Sequence, residues 1–258
     1  MKFVFLSLII MFSLQLQADN NNINLYKEFN TLYYQGKEKK ALKVAEKYLK
    51  IVDDNPNLGD LAALYLRLSD KNMQIYESIE FLLKIVKNKK DYITKERIIL
   101  AIADYFFKKE KYYSALTYYR WIERNHNVKS LVYDDSLWNS YLIYKKVYAY
   151  NAAIKYLDKI INTHEYAIYV GSYNQFHIYD AYIEKSKLLI KQKKYKKAVE
   201  NLKKFLKNFS VNDQIDDAYY LLCTPPLNLK ENCCKLIEKR KFSSYYNKAK
   251  KVCDEFSN

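Results

Sequence analysis

The sequence predicts an all-α fold, an array of about five antiparallel helical hairpins closed by a C-terminal helical cap. Three observations predict it. Only three glycines and three prolines occur in 258 residues, which leaves few positions for the tight turns of a β fold. Half of the residues are apolar and 28% are charged, the balance of a globular chain rather than a disordered one. Small residues also recur at Ala41, Ser78, Ala115, Ala153 and Ala198, with successive offsets of 37, 37, 38 and 45. Each lies in a segment of helical periodicity. A hairpin that buries one face internally and another on its neighbour needs a small residue wherever two helices approach closely.

The chain opens with Lys2, then the apolar run FVFLSLIIMFSL, then Gln15 to Ala18. A short charged start, an apolar core of about a dozen residues and a small residue at the end form a secretory signal. The expected cut follows Ala18, which defines residues 1–18 as the leader. The run is short for a bilayer span, which takes roughly 20 residues; an uncleaved anchor is the alternative. No cysteine lies near the cut, so a lipid-modified N-terminus is not indicated.

Residues 19–222 carry the hairpins. The first is expected at Leu25 to Gln35 and Glu38 to Ile51, with Gly36 as a helix stop and Ala41, Leu42, Ala45, Tyr48 and Leu49 inward. Pro56 and Gly59 mark the break after it. The second is expected at Gly59 to Leu68 and Gln74 to Lys87, with Ser78, Leu82 and Ile85 inward. The third occupies Thr94 to Lys108, capped by Thr94, and Tyr112 to Arg124, with Tyr112, Ala115, Tyr119 and Ile122 on one face. The fourth occupies Asp134 to Tyr148 and Asn151 to Asn162, capped by Asn151, with Ala153, Leu157 and Ile160 inward. The fifth lies between Tyr182 and Ser210, broken near Lys191 to Lys194. Its Tyr195, Ala198, Leu202 and Phe205 have the spacing of one helical face and are expected in the core. The longer last offset reflects the segment Thr163 to Tyr179, with Tyr166, Tyr169, Tyr173 and Tyr179. Either the next helix starts early there or a loop bulges from the array.

After Ser210, Ala218 and its apolar neighbours suit a further helix, with Asp213, Asp216 and Asp217 at its positive N-terminal end. Pro225-Pro226 ends it. Two more helices follow, near Lys230 to Arg240 and Ser243 to Phe256. Residues 223–258 contain all four cysteines, Cys223, Cys233, Cys234 and Cys253. In an exported chain an even number invites disulfides. Adjacent cysteines rarely bond each other, so Cys233 and Cys234 are expected to reach Cys223 and Cys253, in one order or the other. Buried reduced thiols are the alternative.

The recurring small residue, with Tyr112, Tyr150 or Tyr195 three before it and Leu82, Tyr119, Leu157 or Leu202 four after it, resembles the tetratricopeptide repeat (TPR). The resemblance covers roughly residues 25 to 222. The repeats are a few residues longer than the usual 34 and lack the closing proline. The phrase VNDQIDDAYYLLC resembles exported bacterial envelope members of that superfamily, the outer-membrane assembly lipoprotein BamD and the Tol-Pal-associated proteins. This chain lacks the lipidated cysteine of the first and the N-terminal coiled coil of the second.

The resemblance implies a superhelical solenoid whose first helices line a concave groove. Carried over, that register places Tyr26, Asn30, Tyr33, Tyr34, Arg67, Lys71, Arg97, Asp104, Phe107, Lys108, Trp138, Leu142, Lys145, Ile183, Lys187 and Lys191 along the groove. The carboxylate clamp of chaperone-binding repeats is absent, because Tyr26 and Leu64 stand at clamp positions. Aromatic and cationic residues together suit a segment with acidic and apolar side chains, and Trp138 is the strongest single anchor.

No catalytic set is present. His126, His164 and His177 lack metal spacing or a nearby ligand cluster, three glycines cannot build a phosphate loop, and the cysteines have no histidine near them in sequence. No cofactor or metal is therefore expected. Without Lys2 the chain keeps 43 basic against 29 acidic residues, a net +14. Such charge suits an anionic partner or simply a soluble surface, and after export nucleic acid is not the expected one. The reading is a non-enzymatic envelope scaffold that binds a partner protein or peptide segment. The alternatives are attachment to anionic lipid, envelope polymer or host glycan, and a noncatalytic subunit of a wall or secretion enzyme.

Overall fold

The computed structural model describes residues 23–52, 58–125, 131–164, 175–209 and 214–257. Among them every regular element is a helix, as expected. The first hairpin joins α1, residues 23–34, to α2 (Glu38–Ile51). The second joins α3 (Leu58–Lys71) to α4 (Ile75–Asn88), and the third joins α5 (Tyr92–Lys108) to α6 (Tyr112–Asn125). The fourth joins α7 (Leu131–Lys146) to α8 (Tyr150–His164), and the fifth α9 (Gln175–Lys191) to α10 (Tyr195–Asn208). A shorter sixth hairpin, α11 (Gln214–Cys223) and α12 (Glu231–Lys239), precedes the final helix α13 (Tyr246–Ser257). The chain divides into two compact units, 1–126 with the first three hairpins and 127–258 with the rest.

Each of the first five hairpins turns in the same way. Gly36, Met73, Glu110, Tyr148 and Lys193 adopt a positive φ between 57° and 68°. The following N–H (Lys37, Gln74, Lys111, Ala149, Lys194) donates back to the carbonyl five residues earlier at 2.8 or 2.9 Å. This is a Schellman C-cap, which satisfies carbonyls that the helix end leaves open. Five residues after each positive-φ residue comes the small one. Ala41, Ala115, Ala153 and Ala198 are fully buried and Ser78 nearly so, so the repeating offsets report the turn as well as the helix crossing. In the sixth hairpin Asn228 has the positive φ, and Cys233, five residues on and fully buried, takes the small-residue place.

Inward residues follow the helical pattern. Leu42, Ala45, Tyr48 and Leu49 of α2, Leu82 and Ile85 of α4, Tyr119 and Ile122 of α6, and Leu157 and Ile160 of α8 are all buried. A fully buried side chain of this size contributes roughly 1.5–3 kcal/mol. Tyr65 is buried as well and donates its hydroxyl to Glu46 at 3.1 Å. Burial, with the Glu46 carboxylate adding to it, pushes that phenol up to about 12. In the second unit Leu137, Tyr141, Tyr182, Leu202 and Phe205 belong to one continuous core.

Four expectations are corrected. Tyr195 is not in the core; it is 39% exposed, while Ala198, Leu202 and Phe205 are fully buried. It stands first in its helix at the hairpin turn, and the adjacent α11 has ten residues against seventeen in α9. The equivalent Tyr150 is sheltered by Lys191 of the next hairpin, 4.8 Å from its ring. Thr94 does not cap α5. Asp91 does, accepting from the N–H of Ile93 at 3.3 Å and of Thr94 at 2.6 Å, which places Thr94 inside the first turn with its side chain buried. Asn151 does not cap α8, which starts one residue earlier; its side chain accepts from Gln192 Nε2 at 3.0 Å. Ile183 is buried rather than groove-lining.

The helix of the fifth hairpin does start early, at Gln175. Residues 1–22, Pro56, His126, Tyr166, Tyr169, Gly171, Tyr173 and Asp213 lie outside the described residues. Among the described residues no helix is long and apolar enough to cross a membrane. At the C-terminus Cys223 bonds Cys233, and Cys234 bonds Cys253. The first bond staples α11 to α12, and the second staples α12 to α13. Arg240 and Tyr245, between α12 and α13, bind Asp216 and Asp217 in the first turn of α11, each at 2.6 Å.

Candidate partner-binding face

The side chains that converge most closely lie on α7 and α9. Trp138, Tyr141 and Lys145 follow at spacings of three and four on α7, so they share one face. His177, Glu184 and Lys187 follow at seven and three on α9. Glu184 is the junction. Its Oε2 accepts from the Tyr141 hydroxyl at 2.6 Å and from Lys145 Nζ, and its Oε1 accepts from Lys187 at 3.0 Å. Burial pushes the Glu184 carboxyl up, but the bonds from Lys145, Tyr141 and Lys187 more than offset it and hold it down at about 2. Burial and the same carboxylate raise the Tyr141 phenol well above its ordinary value.

One helical turn or two toward the start of α7, Trp138 stacks on His177 with ring centres 4.8 Å apart and 14° between planes, and touches Tyr141 at 4.8 Å. His177 Nε2 lies 3.4 Å from Asp135 Oδ1. Burial lowers the imidazole's affinity for a proton. The Asp135 bond and the charges of Asp134, Asp135 and Asp180 raise it by more, so His177 titrates above its ordinary value. Its Nδ1 is buried without a hydrogen-bond partner. Asp180 accepts from Gln214 of α11 at 3.3 Å.

Of the groove residues expected in this unit, Trp138, Lys145 and Lys187 belong to this face. Leu142 is partly buried against the core, as Trp138 also is, and Lys191 reaches the hairpin turn, over Tyr148 and Tyr150. Tyr141 and Glu184 occupy the face one residue away from the expected Leu142 and Ile183. Both lysines are bound to Glu184, whose single charge offsets one of their two.

Most of the expected residues of the first unit make local contacts. Tyr26 packs on Tyr48 at 5.8 Å, and Tyr33 sits between Phe29 and an exposed Tyr34. Asn30 is half-buried, Arg67 and Lys108 are exposed, and Arg97 packs beside Gly59. Lys71 is paired with Glu38, Asp104 accepts from Tyr119, and Phe107 packs near Tyr112. A separate opening of about 450 Å³ lies among α8, α9 and α10, lined by Asn151, Asp158, Lys185 and Glu200 among others, with Lys185 and Asp158 paired across it at 2.6 Å.

The sequence contained signals for what was missed. His177 and Glu184 are seven apart on a helix, and Tyr141 stands midway between Trp138 and Lys145 on one face. Among the described residues no group of three or more potential metal ligands converges; His177 and Asp135 are a pair only.

No protein-family model matches the chain, and no curated protein matches its sequence. Its fold is similar to the apo form of RapI (TM-score 0.52, 14% identity, 90% of this chain and 68% of that one). It is also similar to BtubC (BKLC) from P. vanneervenii (0.52, 12% identity, 91% and 92%). The C-terminal part of a TPR repeat-containing protein from Cytophaga hutchinsonii is a third (0.51, 15% identity, 90% and 97%). At these identities the likeness is one of fold, and the fold is the TPR-like helical hairpin array.

Proposed function

We propose that this chain is an exported, non-catalytic scaffold of the bacterial cell envelope that holds a partner protein or an exposed segment of one against the α7–α9 face. One observation carries the reading: Trp138 is partly exposed yet held against both His177 and Tyr141. A large aromatic already ordered before binding loses little freedom on contact and is the kind of residue that dominates interface energies. Glu184 offsets one of the two charges of Lys145 and Lys187, and Asp134, Asp135 and Asp180 lie beside His177, the Asp135 side chain 48% exposed. The face therefore suits an apolar side chain flanked by basic or neutral groups better than an acidic segment. The paired state of all four cysteines supports an oxidising compartment, in keeping with a secretory signal in residues 1–18.

The test is capture of partners from envelope extract by the full chain and by Trp138→Ala, each checked for helical content. The expected result is a partner recovered by the first and depleted at least about tenfold with the second, the loss typical of a hot-spot aromatic. Equal recovery by both sinks the assignment of this face. Recovery of nothing by the intact chain sinks the scaffold.

A further inference from the structure

The hairpin turns of each unit carry a second kind of surface, different in chemistry from the Trp138 face. Seven-residue windows from two before to four after each positive-φ residue span 34–40, 71–77, 108–114, 146–152 and 191–197. They contain thirteen lysines and three acids, ten of the chain's fifteen net positive charges. They also contain Tyr34, Met73, Tyr76, Tyr113 and Tyr148, each 72–92% exposed. Among the described residues only Phe242 is a more exposed large apolar side chain than these five as a group.

Side-chain contacts set the turns side by side within each unit. In the first, Glu38 of turn one binds Lys71 and Asn72 of turn two. Asp70 beside turn two binds Tyr105 at 2.8 Å and Lys109 at 2.6 Å, at turn three. In the second unit Asn151 binds Gln192, and Lys191 lies over Tyr148 and Tyr150. The second helices are of nearly equal length, 14 residues in α2, α4, α6 and α10 and 15 in α8. Turns tied to their neighbours by these contacts line one edge of each unit. Lys39, Lys40, Lys111, Lys194, Lys196 and Lys197 on these edges are exposed.

We propose that the hairpin-turn edge of each unit docks on an anionic lipid membrane surface. Lysine ammonium groups meet the headgroup phosphates, their aliphatic stems lying along the surface. The tyrosines and Met73 enter the headgroup layer, the place where an apolar ring with a polar tip is most stable. An edge studded with both kinds of side chain matches such a surface, which is anionic outside and apolar beneath; a soluble polyanion would use the lysines and leave the rings idle.

The experiment is co-sedimentation of the full chain with phosphatidylcholine vesicles and with vesicles containing added phosphatidylglycerol. Two edge variants are compared, Lys194→Glu/Lys196→Glu/Lys197→Glu and Lys39→Glu/Lys40→Glu/Lys111→Glu. Their control reverses the same charge elsewhere, Lys235→Glu/Lys248→Glu/Lys250→Glu on exposed positions of α12 and α13. Residues 1–18 are common to all, so any binding they add cancels in the comparison.

The expected result is preference for the anionic vesicles, lost by at least about tenfold in one or both edge variants and by much less in the control. Tyr34→Ser/Tyr113→Ser is expected to weaken the same binding with the charge unchanged. Equal loss in the control, equal binding to both vesicles, or insensitivity to the tyrosine pair with tight binding to dextran sulfate would each overturn the proposal. The first points to net charge, the second to the apolar leader and the third to a polyanionic polymer. Circular dichroism and the Trp138-dependent capture of a partner separate a failure here from a failure of the scaffold reading.

Discussion

Tyr141 of α7 donates its phenolic proton to Glu184 of α9 at 2.6 Å, and the carboxylate so held also binds Lys145 and Lys187. Tyr141 is fully buried and the Glu184 side chain is 17% exposed. A carboxylate in that position is stable only because all its neighbours donate to it.

Glu184 therefore makes the second unit acid-sensitive. Its folded value, about 2, lies below the ordinary 4.5. A depressed carboxyl contributes stability that is full above the unfolded value and is lost as pH falls through the folded one. Urea midpoints should drop between about pH 5 and pH 2. Glu184→Gln should cost about 2 kcal/mol at pH 7 and flatten the pH dependence in that window. An unchanged pH profile in the variant would refute the assignment.

His177 has the opposite sign. Its proton affinity is raised, so its contribution is full below the unfolded value near 6.5 and fades as pH rises through the folded one. In a Trp121→Phe background, which leaves Trp138 as the reporter, fluorescence should titrate with a midpoint above 6.5 because the ring stacked on it changes charge. Asp135→Asn should move that midpoint down. A midpoint unaffected by the variant would mean that Asp135 does not hold the proton.

The turns offer a stability gain. Glu110 and Lys193 hold a left-handed φ of 57° and 59°, which costs a residue with a Cβ about 1 kcal/mol relative to glycine. Glu110→Gly and Lys193→Gly should each raise stability by about 0.5 kcal/mol or more. Gly36→Ala should lower it by about 1 kcal/mol, and since nothing lies within 4 Å of the added carbon the effect is the backbone's alone. Thermal melts of the three variants decide it.

The cap depends on its disulfides. A denatured, unreduced sample should show no free thiol, and a reduced one four. Replacing Cys234 and Cys253 by serine opens a loop of 19 residues, which should cost about 3 kcal/mol. Limited proteolysis should then cut first within 231–257. Four free thiols before reduction would overturn the pairing.

The repeating unit was legible in the chain. Ala41, Ser78, Ala115, Ala153 and Ala198 are buried one after another, because a close helix crossing admits nothing larger and so leaves its mark in residue type. Glycine marked the turn only once, at Gly36. In the next four hairpins the left-handed residues are Met73, Glu110, Tyr148 and Lys193, where the Schellman bonds and the packing of the two helices impose a conformation that the residue itself does not favour.

The candidate face was legible in part. Trp138, Lys145 and Lys187 were placed by the groove register that the tetratricopeptide resemblance implies. That Glu184 would receive Lys145 and Lys187 at once, or that His177 would lie flat on Trp138, could not be read from it. The period along one helix sets which residues share a face, so the helices, their repeat and their buried stripes could be read from residue type. The rotation of α9 against α7 is set by how both pack on the shared core. That rotation moved Ile183 inward and Glu184 outward by one residue, and with them the charge of the face. Packing of the two helices fixes it, because a shift of one residue turns a helix by about 100°, while the composition of the helix stays the same.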